Sequence, residues 1–285
     1  MAVNLLPLGT LGAVEANGTV TFGLWLPWVS AADGNAVTVK LIHERDQFLQ
    51  GIPPREFPMT HSVRAPYGDF WSATVPITGT PPAPAESAWG TAGRYVYRYR
   101  INNPNVGSLD WIIDPCAREF GVGKLSAFTL GYQPYVWSVA EANWRTPALA
   151  DLMLYEVNVA ELGGDLERTR DLMAYLSDLG VNAIEVMPLS NVAMSVDWGY
   201  LPIGYFGVDE RFGKRSDFQQ LVDVVVIAEL PDNVSAAAIA MAFAGGGACK
   251  SVQTTPLISP EEALQALRKA GECGYRPVSA PARAA

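Results

Sequence analysis

Aromatic side chains are spread so unevenly along this chain that a single uniform fold is excluded. Twenty-seven of 29 lie before residue 219, while the 63 residues from Asp223 onward hold two, Phe243 and Tyr275, among 15 alanines. A buried ring removes about 150–250 Å2 from water, so the two stretches cannot fill the same kind of interior. At 285 residues the chain has room for about two domains of ordinary size. A change of fold type is therefore expected near residues 221–223, and with the change of period described below the segments are 1–145, 146–222 and 223–285.

Segment 1–145 reads as all-β. Val20, Phe22, Leu24 and Leu26 alternate with Thr19, Thr21, Gly23 and Trp25, the period of a strand with one buried face. Val37, Val39 and Leu41 repeat it, and Tyr95, Tyr97 and Tyr99 take one face of a strand whose other face is Val96, Arg98 and Arg100. Proline- and glycine-rich breakers separate these runs, including a surface loop at 79–85. Short strands with such punctuation predict an immunoglobulin-like β-sandwich.

From about residue 150 the period changes. Residues 152–159 form an apolar run of strand length; Asp165 then caps a helix with Leu166, Thr169, Met173, Leu176 and Leu179 at helical spacing. Gly180 stops it, and residues 181–188 make a second apolar strand. This βαβ unit predicts a parallel sheet. The tail predicts a strand at 224–230, a turn at Pro231-Asp232-Asn233, a helix at 235–243 and a strand at 250–255. A last helix is capped by Ser259, with Pro260 first and Gly271 beyond. That is a small ferredoxin-like α+β tail.

Composition removes several classes of function. Lys+Arg 20 against Asp+Glu 29 gives a net charge of -9, a field that repels phosphate backbones and anionic lipids, so neither nucleic acid nor membrane is an expected partner. Cys116, Cys249 and Cys273 lack CxxC spacing, which signals neither a disulfide framework nor a zinc site. With no basic n-region at the start of the sequence given, a cytoplasmic setting is expected. The two histidines, His43 and His61, are both early, so imidazole chemistry in the second half is excluded. No metal and no cofactor is implied. Gly245-Gly246-Gly247 lacks the frame of a phosphate cradle. Asp209, Glu210 and Arg211 read as an exposed ion-paired turn.

An ordered set of motifs resembles the α-amylase family, glycoside hydrolase family 13. They are Tyr95-Val-Tyr-Arg-Tyr-Arg100, Asp114-Pro-Cys-Ala-Arg118, Leu154-Tyr-Glu156, Leu179-Gly-Val-Asn-Ala-Ile-Glu-Val-Met-Pro188, Trp198-Gly-Tyr200 and Arg211-Phe-Gly213. The resemblance covers about residues 12–222, and it is nearest to branching, debranching and trehalose-releasing members. It implies a carbohydrate-binding-module-48-like sandwich followed by the start of a (β/α)8 barrel. By the same resemblance Gly199-Tyr200, with Trp198 beside it, is the substrate-binding platform on which a sugar face stacks. Asn158 stands where relatives commonly have histidine. The family's catalytic carboxylates follow later strands than this resemblance reaches, so no catalytic residue is nominated. Residues 223–285 resemble half of a GYD domain.

Three readings follow. The chain derives from an α-glucan-active hydrolase or transglycosidase but lacks its catalytic carboxylates. It acts as a non-catalytic binder or scaffold for α-glucan or maltooligosaccharide. Or its tail is a small-ligand or oligomerising module, with self-association through uncovered sheet edges. Trp25, Trp28, Trp71 and Trp89 are glucan contacts or, as alternating strands favour, packing residues.

Overall fold

The computed structural model describes residues 8–82, 84–138, 148–193, 198–222 and 226–228. The first ten strands are β1 (Gly12–Ala16), β2 (Thr19–Trp25), β3 (Ala36–His43), β4 (Arg55–Pro58), β5 (Thr60–Arg64), β6 (Gly68–Pro76), β7 (Gly93–Asn103), β8 (Gly107–Ile112), β9 (Glu119–Gly121) and β10 (Leu125–Leu130). They form two antiparallel sheets, one ordered β1-β2-β6-β5 and the other β4-β3-β7-β10-β9, with β8 also pairing β7. The β1–β2 hairpin closes through Asn17 and Gly18, both at positive φ, 52° and 77°. Two such residues in a two-residue loop match the right-handed twist of the strands they join.

Both sheets contribute to one buried cluster. Val20, Phe22, Leu24, Trp71 and Val75 come from the first, and Val37, Val39, Leu41, Tyr95, Tyr97, Tyr99 and Phe128 from the second. The alternation in the sequence is thus the alternation of burial, and each fully buried aliphatic or aromatic side chain contributes about 1.5–3 kcal/mol. The tyrosines can be buried because their hydroxyls find acceptors. Tyr97 and Tyr99 donate to Asp114 Oδ2 at 2.8 and 2.9 Å, and Tyr95 donates to the Thr91 carbonyl at 3.0 Å. Trp71 and Trp89 are core residues, as packing favours, whereas Trp28 is 89% exposed.

The second region starts with β11 (Leu154–Val157), a short helix α1 (Val159–Leu162), α2 (Leu166–Asp171) and α3 (Met173–Asp178), then β12 (Ala183–Val186). Asp165 caps α2 as expected, its Oδ1 accepting from Arg168 N at 2.8 Å. The helix expected over 166–179 is instead two pieces. At Leu172 (ψ -7°) the backbone N–H reaches back three residues to Thr169 O, a tighter turn than the α ladder allows. Gly180 (φ 91°) ends α3 as expected. Gly180 N bonds Ser177 O and Val181 N bonds Leu176 O, the two hydrogen bonds of a Schellman stop.

After β12 come β13 (Ser190–Val192), β14 (Pro202–Val208), α4 (Arg215–Val222) and β15 (Val226–Ala228). Strands β11 and β12 pair in parallel, and β15 pairs in parallel with β12 to give the order β11-β12-β15. The strand expected at 224–230 for the tail therefore extends the parallel sheet of the second region, and it covers the edge of β12 that two strands alone would leave open. The rest of the expected tail lies outside the described residues. Val157, Val159, Leu166, Leu176, Ile184, Val186, Phe212 and Leu221 build a separate core here.

One expectation is corrected where the two regions meet. Asp209 is ion-paired but not exposed: it is fully buried, with Lys124 Nζ at 2.5 Å and Arg211 Nε at 2.9 Å. Its second cation comes from the turn between β9 and β10, and that turn covers it.

Candidate functional site

Loops at the C-terminal ends of parallel strands are where such sheets place ligands. Here β11 delivers Asn158 and the start of α1, and β12 delivers Met187, Pro188 and Leu189. With Trp198, Arg211 and Phe212 they line a cleft of about 170 Å3. That is below the ~300–1,000 Å3 of pockets that engulf a ligand, so the site is a small groove. Asn158 is held by its own backbone bond, Oδ1 accepting from Ala160 N at 3.0 Å as the cap of α1. Leu166 N donates to Phe212 O at 2.8 Å, tying the α2 start to the groove wall.

The three residues expected to form a sugar platform are placed differently from one another. Trp198 lines the cleft at 65% exposure. Gly199 is buried at φ 92°, and any Cβ there would strike the Pro188 carbonyl and ring. Only glycine allows the loop to seat on Pro188, and Trp198 just before it is itself in the left-handed region at φ 47°. Tyr200 is half-buried, and it is not among the residues lining the cleft.

The electrostatics are asymmetric. Glu161 is the one carboxylate among the described lining residues. Arg211 also lines the cleft, with its guanidinium held by Asp209. Burial pushes the Asp209 carboxyl up, but the hydrogen bonds from Arg211 and Lys124 outweigh it and hold its pKa below the ordinary 3.8. Asp209 is therefore an anion committed to two cations, unlike an acid awaiting a substrate. Among the described residues, no group of three His, Cys, Asp or Glu is arranged to hold a metal.

Another exposed aromatic, not singled out in the sequence, lies in the first region. Trp111 in β8 is 60% exposed at φ 65°, with the buried Arg98 guanidinium stacked beneath its ring and Asp110 alongside.

Residues 118–228 match the family described as alpha amylase, catalytic domain. Over that stretch the chain resembles the α-amylase family. Residues 218–267 match the GYD domain, so the two matches overlap over residues 218–228, which include the end of α4 and β15. The α-amylase-like chain is 28% identical over 216 residues to the 1,4-alpha-glucan branching enzyme GlgB of Rhodospirillum rubrum, covering 71% of this chain and 25% of that enzyme. It is 27% identical over 157 residues to the malto-oligosyltrehalose trehalohydrolase of Brevibacterium helvolum, covering 52% and 26%. The chain thus spans about a quarter of the length of these relatives. Among solved structures it is similar to a putative alpha amylase from Salmonella typhimurium (TM-score 0.52, 20% identity, covering 77% of this chain and 32% of that one). It is also similar to the pullulanase of Anoxybacillus sp. LM18-11 complexed with maltotriose (TM-score 0.51, 17% identity, covering 79% and 34%). At such identities these two likenesses speak to the fold. No helix among the described residues is long and apolar enough to cross a membrane.

Proposed function

We propose that this chain binds α-glucan or maltooligosaccharide in a cytoplasmic setting without cleaving it. On this reading it is an α-amylase-family derivative with a carbohydrate-binding-module-48-like sandwich (1–145), an incomplete barrel (146–222) and a GYD-like tail (223–285). The observation that carries the proposal is the exposed Trp198 ring lining a small groove at the strand ends together with Asn158, Glu161 and Arg211. An indole face receives the C–H face of a sugar, and the flanking polar groups supply hydrogen bonds to its hydroxyls. The glucan chemistry of the branching enzyme and trehalohydrolase relatives points to the same ligand class. Against cleavage stands the carboxylate set. Retaining hydrolysis needs two carboxylates ~5–5.5 Å apart and inverting hydrolysis two at ~6.5–9.5 Å. The described groove lining offers Glu161, and the neighbouring Asp209 is locked between Lys124 and Arg211.

The test is binding to maltoheptaose by calorimetry, wild type against Trp198→Ala. The exposed ring makes little contribution to the core, so the variant is expected to fold normally and to bind at least tenfold more weakly, about 1.4 kcal/mol. Equal affinity in the two proteins would remove Trp198 from the site.

A further inference from the structure

Lys124 is a non-glycine residue at φ 62°, in the turn between β9 and β10. A side chain held in the left-handed region needs its surroundings to over-determine it. Here all three of its polar groups reach the second region. Its Nζ donates to Asp209 Oδ2 at 2.5 Å, its N–H donates to Glu210 Oε1 at 3.3 Å, and its carbonyl accepts from Asn191 Nδ2 at 3.4 Å. The same turn is tied to the first region through Val122, whose N–H donates to Glu44 Oε1 and whose carbonyl accepts from Gln47 Nε2, both at 3.0 Å.

Asp209 passes this anchorage on to the groove. Its N–H donates to Leu189 O at 2.8 Å, and its carboxylate accepts from Val192 N, Arg211 N and Arg211 Nε. Leu189 and Arg211 both line the cleft, and β13 and β14 flank the loop that carries Trp198. Strand β14 is also pressed onto the first region, where an added Cβ at Gly204 would enter the Phe120 ring and one at Gly207 would strike the Arg118 backbone carbonyl.

We propose that Lys124 is a positioning residue by which the first region sets the geometry of the groove, acting through Asp209 on the β13–β14 hairpin and Arg211. The inference rests on the proposed glucan reading only for its ligand; the coupling itself belongs to the protein alone. It makes the two regions one binding unit, in which loss of a cation outside the groove loosens the groove.

The experiment is amide hydrogen exchange by mass spectrometry on the full chain, comparing wild type, K124M and K124R. In K124M, exchange at Val192, Asp209 and Arg211 is expected to accelerate at least tenfold, with β3 and β7 protected as in wild type. K124R, which keeps the charge, is expected to restore near-wild-type protection. Should K124M fail to fold, K124Q retains an uncharged amide donor group and is expected to give an intermediate acceleration. Wild-type exchange at the hairpin in K124M, or in K124Q in its place, would overturn the proposal. Maltoheptaose affinity forms a separate arm, with at least a tenfold loss expected in K124M. Failure of the wild type to bind would remove the glucan reading and leave the exchange result standing.

Discussion

Asp209→Ala is expected to cost about 3–5 kcal/mol of unfolding free energy, because it leaves two cations facing a buried site with no anion between them. Asp209 is fully buried against Lys124 and Arg211. The substitution also removes the acceptor of Val192 N and Arg211 N, which close the base of the β13–β14 hairpin. The pH dependence has a definite sign. The folded-state pKa lies below the ordinary 3.8, so the stabilisation is fully present above that value and is lost as pH falls through the folded pKa. Urea unfolding of wild type and Asp209→Asn at neutral pH and in acid tests this, and the gap is expected to narrow toward acid. A gap that widened in acid would contradict the assignment.

The second large effect is expected at Asp114, in the core of the first region. Its carboxylate accepts from Tyr97 Oη, Tyr99 Oη and Cys116 N, and its own N–H donates to Ser126 Oγ at 2.7 Å. Asp114→Ala leaves three buried donors without that acceptor. At roughly 1–3 kcal/mol per stranded group, partly relieved by rearrangement, about 3 kcal/mol is expected. The linkage here runs opposite to that of Asp209. Burial pushes the Asp114 carboxyl above its ordinary value despite the hydrogen bonds it accepts. Its contribution is therefore greatest below pH 3.8 and declines as pH rises through the raised folded pKa. Wild type and Asp114→Ala, compared by urea unfolding, are expected to differ most in acid; equal stability at every pH would show that the tyrosine hydroxyls find other partners.

Local pattern carried the parts of the fold that local physics decides. The period-2 run from Val20 to Leu24 and the triplet Tyr95, Tyr97 and Tyr99 read directly as buried faces, because a strand side chain has only two directions to point. The Asp165 cap and the Gly180 stop were legible for the same reason: each is settled within a few residues. Asp209 was misread because its neighbours in sequence are Glu210 and Arg211, whereas the residue that helps bury it, Lys124, lies 85 positions away. The break at Leu172 is a three-residue back-bond inside an unbroken apolar period, which the period cannot show. Residues 226–228, which fall within the stretch matching the GYD domain, pair with β12, and which parallel edge a short apolar strand joins is not written in its own residues.

The site was legible in its loop and not in its detail. Trp198-Gly199-Tyr200 was picked out as a unit, and the structure separates its members into an exposed ring at the groove, a glycine required by Pro188, and a half-buried ring away from the lining. Arg211 and Glu161 were not linked to that loop, since only the folded sheet brings the ends of β11 and β12 beside the turn before α4.

Native electrophoresis of the full chain through a glycogen-containing gel, followed by iodine staining, addresses binding and cleavage together. The expected result is a band retarded relative to a glycogen-free gel, with the stain intact around it. A retarded band surrounded by a cleared zone that survives purification to homogeneity would show hydrolysis and contradict the account, and unretarded migration would show that the groove does not hold α-glucan.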